Sequence, residues 1–374
     1  MRRIRYIWKD AAWPRFQWDG MSVLIPLERA TGKQTRLLLR MAELGFELKQ
    51  NAELEVLTEE VTKSSEIEGE VLDAASVRSS IARRLQIPDN RPRSADRATE
   101  GVVEMMLDAT QNYRQPLTVE RLFGWQAGLF PTGYSGMHPV ITGAWRDDAK
   151  GPMQVVSGAM GRERVHYEAP PASRLPEEMD QFLSWFNNEQ ETKGLLRVAQ
   201  AHLWFVTIHP FDDGNGRIAR AVADQALAQS EDSKQRFYSM SAQIRAERND
   251  YYDVLERTQK GTLDVTEWMT WFLGCFVRSI DGAAETLKQV LAKAVFWQSH
   301  AGKMFTGRQT RVLNRFLDGF EGKLTAKKWA AIGKCSVPTA QRDINDLIEQ
   351  HVLARDPGGS KNTSYTLIGH ADGN

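Results

Sequence analysis

A mainly α-helical protein, carrying one small β-hairpin flap and a separate C-terminal module, is the fold class that this sequence predicts. Three observations carry the prediction. Apolar residues recur at helical spacing through most of the 374 residues. The glycine-rich stretch from Gly136 to Gly161 is the place where the text turns β-prone, at Gln154-Val155-Val156. After residue 303, three helical patterns are followed by a β-like pair.

Taken in order, residues 1 to 22 hold the aromatic cluster Tyr6, Trp8, Trp13, Phe16 and Trp18, read as a short extended segment anchored on the core by its rings. Leu37, Met41, Leu44 and Leu48, then Leu54, Leu57 and Val61, predict a packed helix or a close pair of helices. A polar helix surface follows over 62–70, with Gly69 as its C-terminal punctuation, and a new helix over AASVRSSIARRLQ. The loop at 88–95 is Pro-rich, and helical patterns cover 96–112 and 118–128. Beyond the hairpin, prolines open a helix with Glu177 and Glu178 in its first turn. The run 194–208 is apolar on nearly every side and predicts the most buried helix of all. Tyr251 and Tyr252 are read as preceding a helix, and a long helix is read over 281–299 with a boundary near Gly302.

The chain carries 48 basic against 48 acidic side chains, which gives no global reason to expect nucleic acid or an anionic membrane as partner. Cys275 and Cys335 lie far apart without metal-ligand spacing and read as reduced thiols of a cytoplasmic protein. No run approaches the 18 or so apolar residues that a membrane span needs, and MRRIRYIWKD lacks the apolar stretch of an export signal.

The chemistry concentrates in HPFDDGNGRIAR, residues 209–220, a polar loop between two helices. Glycines flanking Asn215 let the backbone turn and approach a ligand, and free N–H groups of the helix starting near Gly216 favour phosphate oxygens. Arg217 and Arg220 could both reach a polyphosphate, and Asp213 offers a hard oxygen to a shared Mg²⁺. His209 is the natural general base for a hydroxyl. The same spacing in a plain turn would leave these arginines solvated.

This stretch resembles, position by position, the active-site motif of the Fic (Fic/Doc) family, H-x-F-x-[D/E]-G-N-G-R-x-x-R. Members of that family typically transfer AMP from ATP to a protein hydroxyl. The resemblance implies a helical Fic core, His209 as base, Asp213 as Mg²⁺ ligand, and Gly214, Asn215 and Gly216 as the phosphate cradle, with Asn215 holding phosphate. It further implies Arg217 as a phosphate clamp and Arg220 as the partner of the γ-phosphate. The N-terminal YIWKDAAWPRFQWD looks like a module attached to many Fic proteins.

Two other stretches share the resemblance. Ser64, Glu68 and Gly69 match the autoinhibitory motif [S/T]-x-x-x-E-[G/N], which implies that Glu68 pairs with Arg220 and denies it to the γ-phosphate. The stretch 136–161 stands where the family has its flap, with Gly143-Ala144-Trp145-Arg146 for G-x-[Y/F]-R and Trp145 as a mild departure. Such an edge strand can hold an extended target segment by strand addition. His138 and His166 near the flap read as surface residues, and His202 as a core histidine. Tyr251 or Tyr252 either walls the adenine or ribose or simply packs.

The text from 303 onward resembles a winged helix, and over 303–361 eleven Lys and Arg stand against six Asp and Glu. That permits duplex DNA contact and equally a packing or oligomerisation role. The domain reading is 1–95 for an N-terminal helical module with the inhibitory motif at 64–69, 96–300 for the Fic core, and 303–374 for the winged-helix-like domain. The functional expectation is an Mg²⁺-dependent protein adenylyltransferase, with ATP as co-substrate and a Tyr, Thr or Ser hydroxyl of a protein target as acceptor. A homodimer is the common expectation for relatives. Two alternatives stand beside it: a phosphodiesterase that removes AMP from modified protein, and a nucleotide-sensing DNA-binding regulator.

Overall fold

The computed structural model describes residues 6–88, 92–158, 162, 164–188, 192–317, 322–357 and 363–368. Contacts divide the chain into two units, Met1–Glu43 with Glu53–Ala283, and Leu44–Ala52 with Ala284–Asn374. The first takes in most of what the sequence separates into an N-terminal module and a core. The second begins at Ala284, ahead of the boundary read near Gly302. Parts of the Pro-rich loop, the far end of the flap and Glu321 lie outside the described residues.

Four of the early helices start on a side-chain cap, as Asp, Thr and Ser dictate where backbone N–H groups would otherwise be unsatisfied. Asp19 caps α1 (Gly20–Ala42), and α2 (Phe46–Ile67) follows it closely, resolving the predicted pair. Asp73 caps α3 (Ala74–Arg84), Asp96 caps α4 (Arg97–Gln111) and Thr118 caps α5 (Val119–Leu129). Two short strands, β1 (Tyr134–Ser135) and β2 (His138–Pro139), pair with each other. The main hairpin is β3 (Gln154–Ser157) with antiparallel β4 (Arg164–Glu168), so its second strand lies past the predicted end of the flap at 161. RVHYE alternates polar and apolar residues and includes the strand formers Val165 and Tyr167, but it lies outside the glycine-rich stretch that defined the flap.

Helix α6 (Leu175–Asn188) leads to α7 (Gly194–Ile208), which is buried continuously from Val198 to Ile208 and packs along α8 (Asn215–Glu231). Three further helices complete this unit: α9 (Met240–Ala246), α10 (Arg248–Gln259) and α11 (Thr266–Thr286). Tyr251 and Tyr252 lie inside α10 rather than ahead of a helix, because the helix already starts at Arg248 with Asp250 in its first turn, where a carboxylate suits the helix dipole. The N-terminal aromatics are anchored by their rings as expected, although the segment is a 3-10 turn (Ile7–Lys9) followed by further turns rather than extended: Trp8 Nε1 donates to the Glu168 carbonyl at 2.8 Å, and Trp13 Nε1 to Glu178 at 2.7 Å. Trp13 and Phe16 also meet Trp204 of α7 edge-on.

The predicted long helix over 281–299 is two helices, broken at Leu287, and nothing in the local sequence explains the break. In the second unit α12 (Lys288–Ser299) and α13 (Gly307–Leu317) precede β5 (Leu324–Thr325), α14 (Ala326–Gly333), α15 (Val337–Glu349), β6 (Leu353–Arg355) and β7 (Ser364–Leu367). The strands form one antiparallel sheet in the order β5-β7-β6. Trp329, Val312, Leu313, Ile344 and Leu347 make its core, and Arg308 forks onto Asp343 at 2.6 and 2.7 Å. Among the described residues the protein is thus mainly helical, with small antiparallel strand clusters.

Candidate active site

Helix α7 ends on His209, whose backbone turns left-handed at φ 53° and ψ 58°. A side chain with a Cβ resists that conformation, so surrounding bonds must hold it. Arg146, almost wholly buried, does so: its Nε donates to the His209 carbonyl at 2.8 Å and its backbone N–H to the Pro210 carbonyl at 3.0 Å. The same guanidinium reaches the Pro170 carbonyl at 2.6 Å and Asp148 at 3.1 Å. His209 Nδ1 lies 3.2 Å from the Val206 carbonyl. A carbonyl can only accept, so Nδ1 carries the proton and Nε2 keeps its lone pair. Burial pulls the His209 pKa down to about 4, so the ring is neutral at pH 7.

Phe211 is fully buried against Trp145 at 5.1 Å and Phe123 at 6.3 Å between ring centroids, pinning the middle of the loop. Asn215 closes it, with Oδ1 accepting from the Phe211 N–H at 2.9 Å and Nδ2 donating to the Phe211 carbonyl at 2.7 Å. Both ends of that amide are therefore engaged with the loop itself. Gly214 holds φ 88° at the start of α8, where a Cβ would also come within 2.9 Å of Leu129. The positive φ and the lack of room both select glycine.

What faces the first turn of α8 comes from α2. A Cβ on Gly216 would lie 2.1 Å from Glu68 Oε1, so the carboxylate rests directly against the bare backbone. The same oxygen accepts from Arg220 Nη2 at 2.8 Å. Arg220 further donates from Nε to Ser64 Oγ at 2.9 Å and from Nη2 to the Ser64 carbonyl at 2.8 Å. Arg217 donates to Glu70 at 2.6 Å, a partner the sequence reading did not single out. Both arginines are only 2% exposed, while Glu68 is 30% and Glu70 is 44% exposed. Arg248 donates to the Ile67 carbonyl at 2.8 Å, and Gly69 turns the chain at φ 88° just beyond.

A cavity of about 710 Å³ opens here. Glu68, His209, Asp213 and Gly214 to Gly216 line one part, and β3, β4 and the α10 residues Tyr252 and Glu256 line others. Tyr251 also borders it, with its hydroxyl 2.9 Å from His202 Nε2 in the core. His202 stacks on Trp268 and burial draws its pKa down to about 3, the behaviour of a neutral core histidine. A neighbouring cavity of about 630 Å³, which includes His138, shares Asp212 and Asp213 with the first. His166, expected at the surface, borders the larger cavity.

The site suits a polyphosphate. A carboxylate already occupies a bare-backbone cradle at a helix N-terminus, where phosphate oxygens are equally favoured, and Arg217 Nε is buried without a hydrogen-bond partner among the described residues. For a divalent cation, Asp213 borders both cavities, and its Oδ1 accepts from the Gly214 N–H at 2.6 Å. Among the described residues, no group of three or more His, Cys, Asp or Glu side chains is placed to hold a metal ion by itself. A carboxylate such as Asp213 beside a phosphate cradle suits Mg²⁺, which is commonly held by one or two carboxylates together with substrate phosphates and water. Asp212 is engaged elsewhere, accepting from the Ile141 N–H at 3.1 Å.

Arg146, Glu70 and Arg248 are the residues that sequence reasoning missed. Arg146 had a signal as the last residue of Gly143-Ala144-Trp145-Arg146, and Glu70 as the next acid after Glu68. Arg248 had none.

Comparison with known proteins places these elements. Residues 6–87 match a domain of unknown function (DUF4172), and residues 116–227 match the Fic/DOC family. A uridine 5'-monophosphate transferase of Xanthomonas campestris pv. campestris is 32% identical over 119 residues, 30% of this chain and 21% of that protein. A protein adenylyltransferase Fic of Aedes aegypti is 30% identical over 105 residues, 28% of this chain and 19% of that protein. The chain therefore spans about a fifth of the length of these curated relatives. A crystal structure of a Fic family protein from Desulfovibrio desulfuricans G20 shares the fold, with a TM-score of 0.58 and 21% identity over 95% of this chain and 98% of that one. With HPFDDGNGRIAR at the junction of α7 and α8 inside the matched segment, residues 116–227 are a Fic/DOC-family segment of the chain.

Proposed function

We propose that this protein transfers a nucleoside monophosphate, AMP from ATP in the first instance, to a hydroxyl of a protein target, and that α2 holds the activity in check. The observation that carries the reading is the Glu68 carboxylate, seated on the bare backbone of Gly216 and paired with Arg220 where an anion is otherwise favoured. Relatives named for AMP and for UMP transfer support the reaction class, and UTP is accordingly the second nucleotide to test.

In this mechanism neutral His209 accepts the proton of the target hydroxyl at Nε2 as the oxygen attacks the α-phosphorus, and the bond from that phosphorus to pyrophosphate breaks, pyrophosphate leaving with its electron pair. Arg146 keeps the ring in place through the His209 carbonyl. Backbone N–H groups of Asn215 and Gly216, with Arg217 and Arg220, are donors fixed in place before reaction that stabilise phosphate charge. Mg²⁺, held by Asp213, would neutralise phosphate charge. The exposed edge of β3 would carry an extended target segment.

Glu68 and Glu70 oppose this by neutralising Arg220 and Arg217 and by repelling a phosphate brought beside them. A nucleotide could still enter, yet with its α-phosphorus poorly aligned for attack. Labelled ATP with Mg²⁺, offered to wild type and to Glu68→Gly, tests the reading by label transferred to protein. Because Glu68 also borders the cavity with His209, removal of AMP is a second reading, in which the carboxylate positions water and His209 protonates the leaving oxygen. Loss of AMP-removing activity in Glu68→Gly would favour it. For the second unit we propose a winged-helix-like role, supported by α13, α14 and α15 with a β5-β7-β6 sheet; salt-dependent binding of duplex DNA would separate nucleic-acid contact from packing.

A further inference from the structure

Outside the residues assigned so far, the hairpin and α10 bring a serine, a histidine and a carboxylate into line. Ser157 Oγ lies 2.5 Å from His166 Nε2, and His166 Nδ1 lies 2.6 Å from Glu256 Oε2. Glu256 is fixed in turn by Lys260 at 2.7 Å and Arg164 at 3.0 Å. Its hydrogen bonds, against an opposing desolvation, bring its pKa to about 2, so it is anionic at neutral pH. An anionic carboxylate can only accept, so His166 Nδ1–H donates to Glu256, and in the neutral ring Nε2 then accepts from Ser157. This is the order of a hydroxyl, its general base and the group that orients the base.

The backbone arrangement favours the same reading. Val155 pairs with Tyr167 and Val156 with Val165, so His166 is the extra residue of a β-bulge. Bulges next to functional sites re-aim a side chain, and here the re-aimed ring meets Ser157 and Glu256. Ser157 is exposed, and all three residues border the cavity that also holds His209 and Gly216. Ser157 thus presents an oriented hydroxyl on the lining of the cavity read above as a nucleotide site, where the electrophile is a nucleotide phosphorus.

We infer that Ser157 is an acceptor within the chain itself: a hydroxyl that takes a nucleoside monophosphate with His166, rather than His209, as its base. The inference rests on the nucleotidyl-transfer reading above. The Ser157 Oγ–phosphorus bond forms as the bond from the α-phosphorus to pyrophosphate breaks. The hydroxyl proton passes to His166 Nε2, and pyrophosphate leaves with its electron pair. The product is a phosphodiester on the hairpin at the rim of the cavity.

The test uses the full chain bearing Glu68→Gly, incubated with Mg²⁺ and either ATP or UTP, followed by peptide mass mapping. The expected result is one nucleoside monophosphate on the peptide carrying Ser157. Ser157→Ala should remove that label and Ser157→Thr, which keeps a hydroxyl, should retain it. His166→Gln, which can still hydrogen-bond but is no base, should slow labelling at Ser157 by roughly 100-fold. Label at other hydroxyls with none at Ser157 overturns this inference alone. Equal labelling of Ser157 with and without His166 overturns the assignment of the base. No label anywhere with either nucleotide overturns the inference and the transfer reading together.

Discussion

The Glu68 carboxylate meets the Arg220 guanidinium at 2.8 Å, and the oxygen that does so stands where a side chain on Gly216 would begin. One acidic group thus engages both elements that an incoming phosphate would need. Glu68→Gly should raise labelling of the protein and of its target by one to three decades at saturating ATP. Each decade corresponds to about 1.4 kcal/mol, within reach of a charge-assisted pair. Removing Arg220 as well should cancel the rise. Unchanged or lower labelling in Glu68→Gly, measured by radiolabel incorporation, would remove Glu68 from an inhibitory role.

Glu70 should act in the same direction and more weakly. Its pair with Arg217 is 2.6 Å long, yet Glu70 is 44% exposed, and solvent discounts such a pair. Glu70→Ala should therefore raise activity by only about two- to fivefold, and combined with Glu68→Gly it should add to the gain. An effect as large as that of Glu68→Gly would mean that Arg217 is the arginine that matters most.

His209→Ala, in the Glu68→Gly background, should lose transfer by roughly two to four decades, with nucleotide affinity read by calorimetry little changed. Because burial lowers the His209 pKa to about 4, the ring stays neutral well below pH 7. Transfer by Glu68→Gly should accordingly show no histidine-dependent fall between about pH 7 and 5, where an exposed imidazole would titrate. A rate that follows a pKa near 6.5 would show that nucleotide entry opens the ring to water.

Asp213→Ala should abolish metal-dependent transfer, as should a chelator, since Asp213 is the carboxylate shared by both cavities that does not brace another loop. Asp212→Ala removes the acceptor for the Ile141 N–H and should produce a milder loss, seen in KM more than in kcat. Equal sensitivity of the two would contradict the assignment.

Stability should depend on pH through the buried histidines. His202 and His209 are lowered from 6.5 to about 3 and about 4, so the unfolded chain binds protons that the folded chain refuses. Their contribution is fully present above about pH 6.5 and is lost progressively as pH falls toward the folded values. His202→Gln keeps a hydrogen-bonding group for Tyr251 and removes one titration, so its Tm should decline less steeply over that range than the wild-type Tm.

The parts of this molecule that declared themselves in sequence are those with local causes. Helix α7 needs burial on every side, and 194–208 reads so; the loop from His209 to Gly216 announces itself through glycine and polar punctuation. The pairing of Glu68 with Arg220, 152 residues apart, was legible only through resemblance, because no periodicity links two helices across that separation. The grip of Arg146 on His209 and the contact of Glu70 with Arg217 were not legible, since a guanidinium reads alike whether solvated or buried. Strand β4 lies beyond the glycine-rich stretch that marks the flap, although Arg164 to Glu168 alternates polar and apolar residues as a strand does; the bulge at His166 is set by pairing with β3, which no local pattern shows. The position of Tyr251 and Tyr252 within α10 turned on a helix start three residues upstream of Tyr251.

Helix α2 is clasped along its length as well as at its tip. Glu60 accepts from Ser239 at 2.6 Å and from the Ser241 N–H at 3.0 Å, and Arg248 holds the Ile67 carbonyl. Glu68 is therefore delivered to Arg220 by the same polypeptide, at an effective concentration set by the fold and unaffected by how dilute the protein is. An intramolecular competitor of that kind raises the apparent dissociation constant of every ligand for the cradle by one constant factor, whatever the ligand's own affinity. Loosening the clasp at Glu60, far from any phosphate, would lower that factor for all of them together.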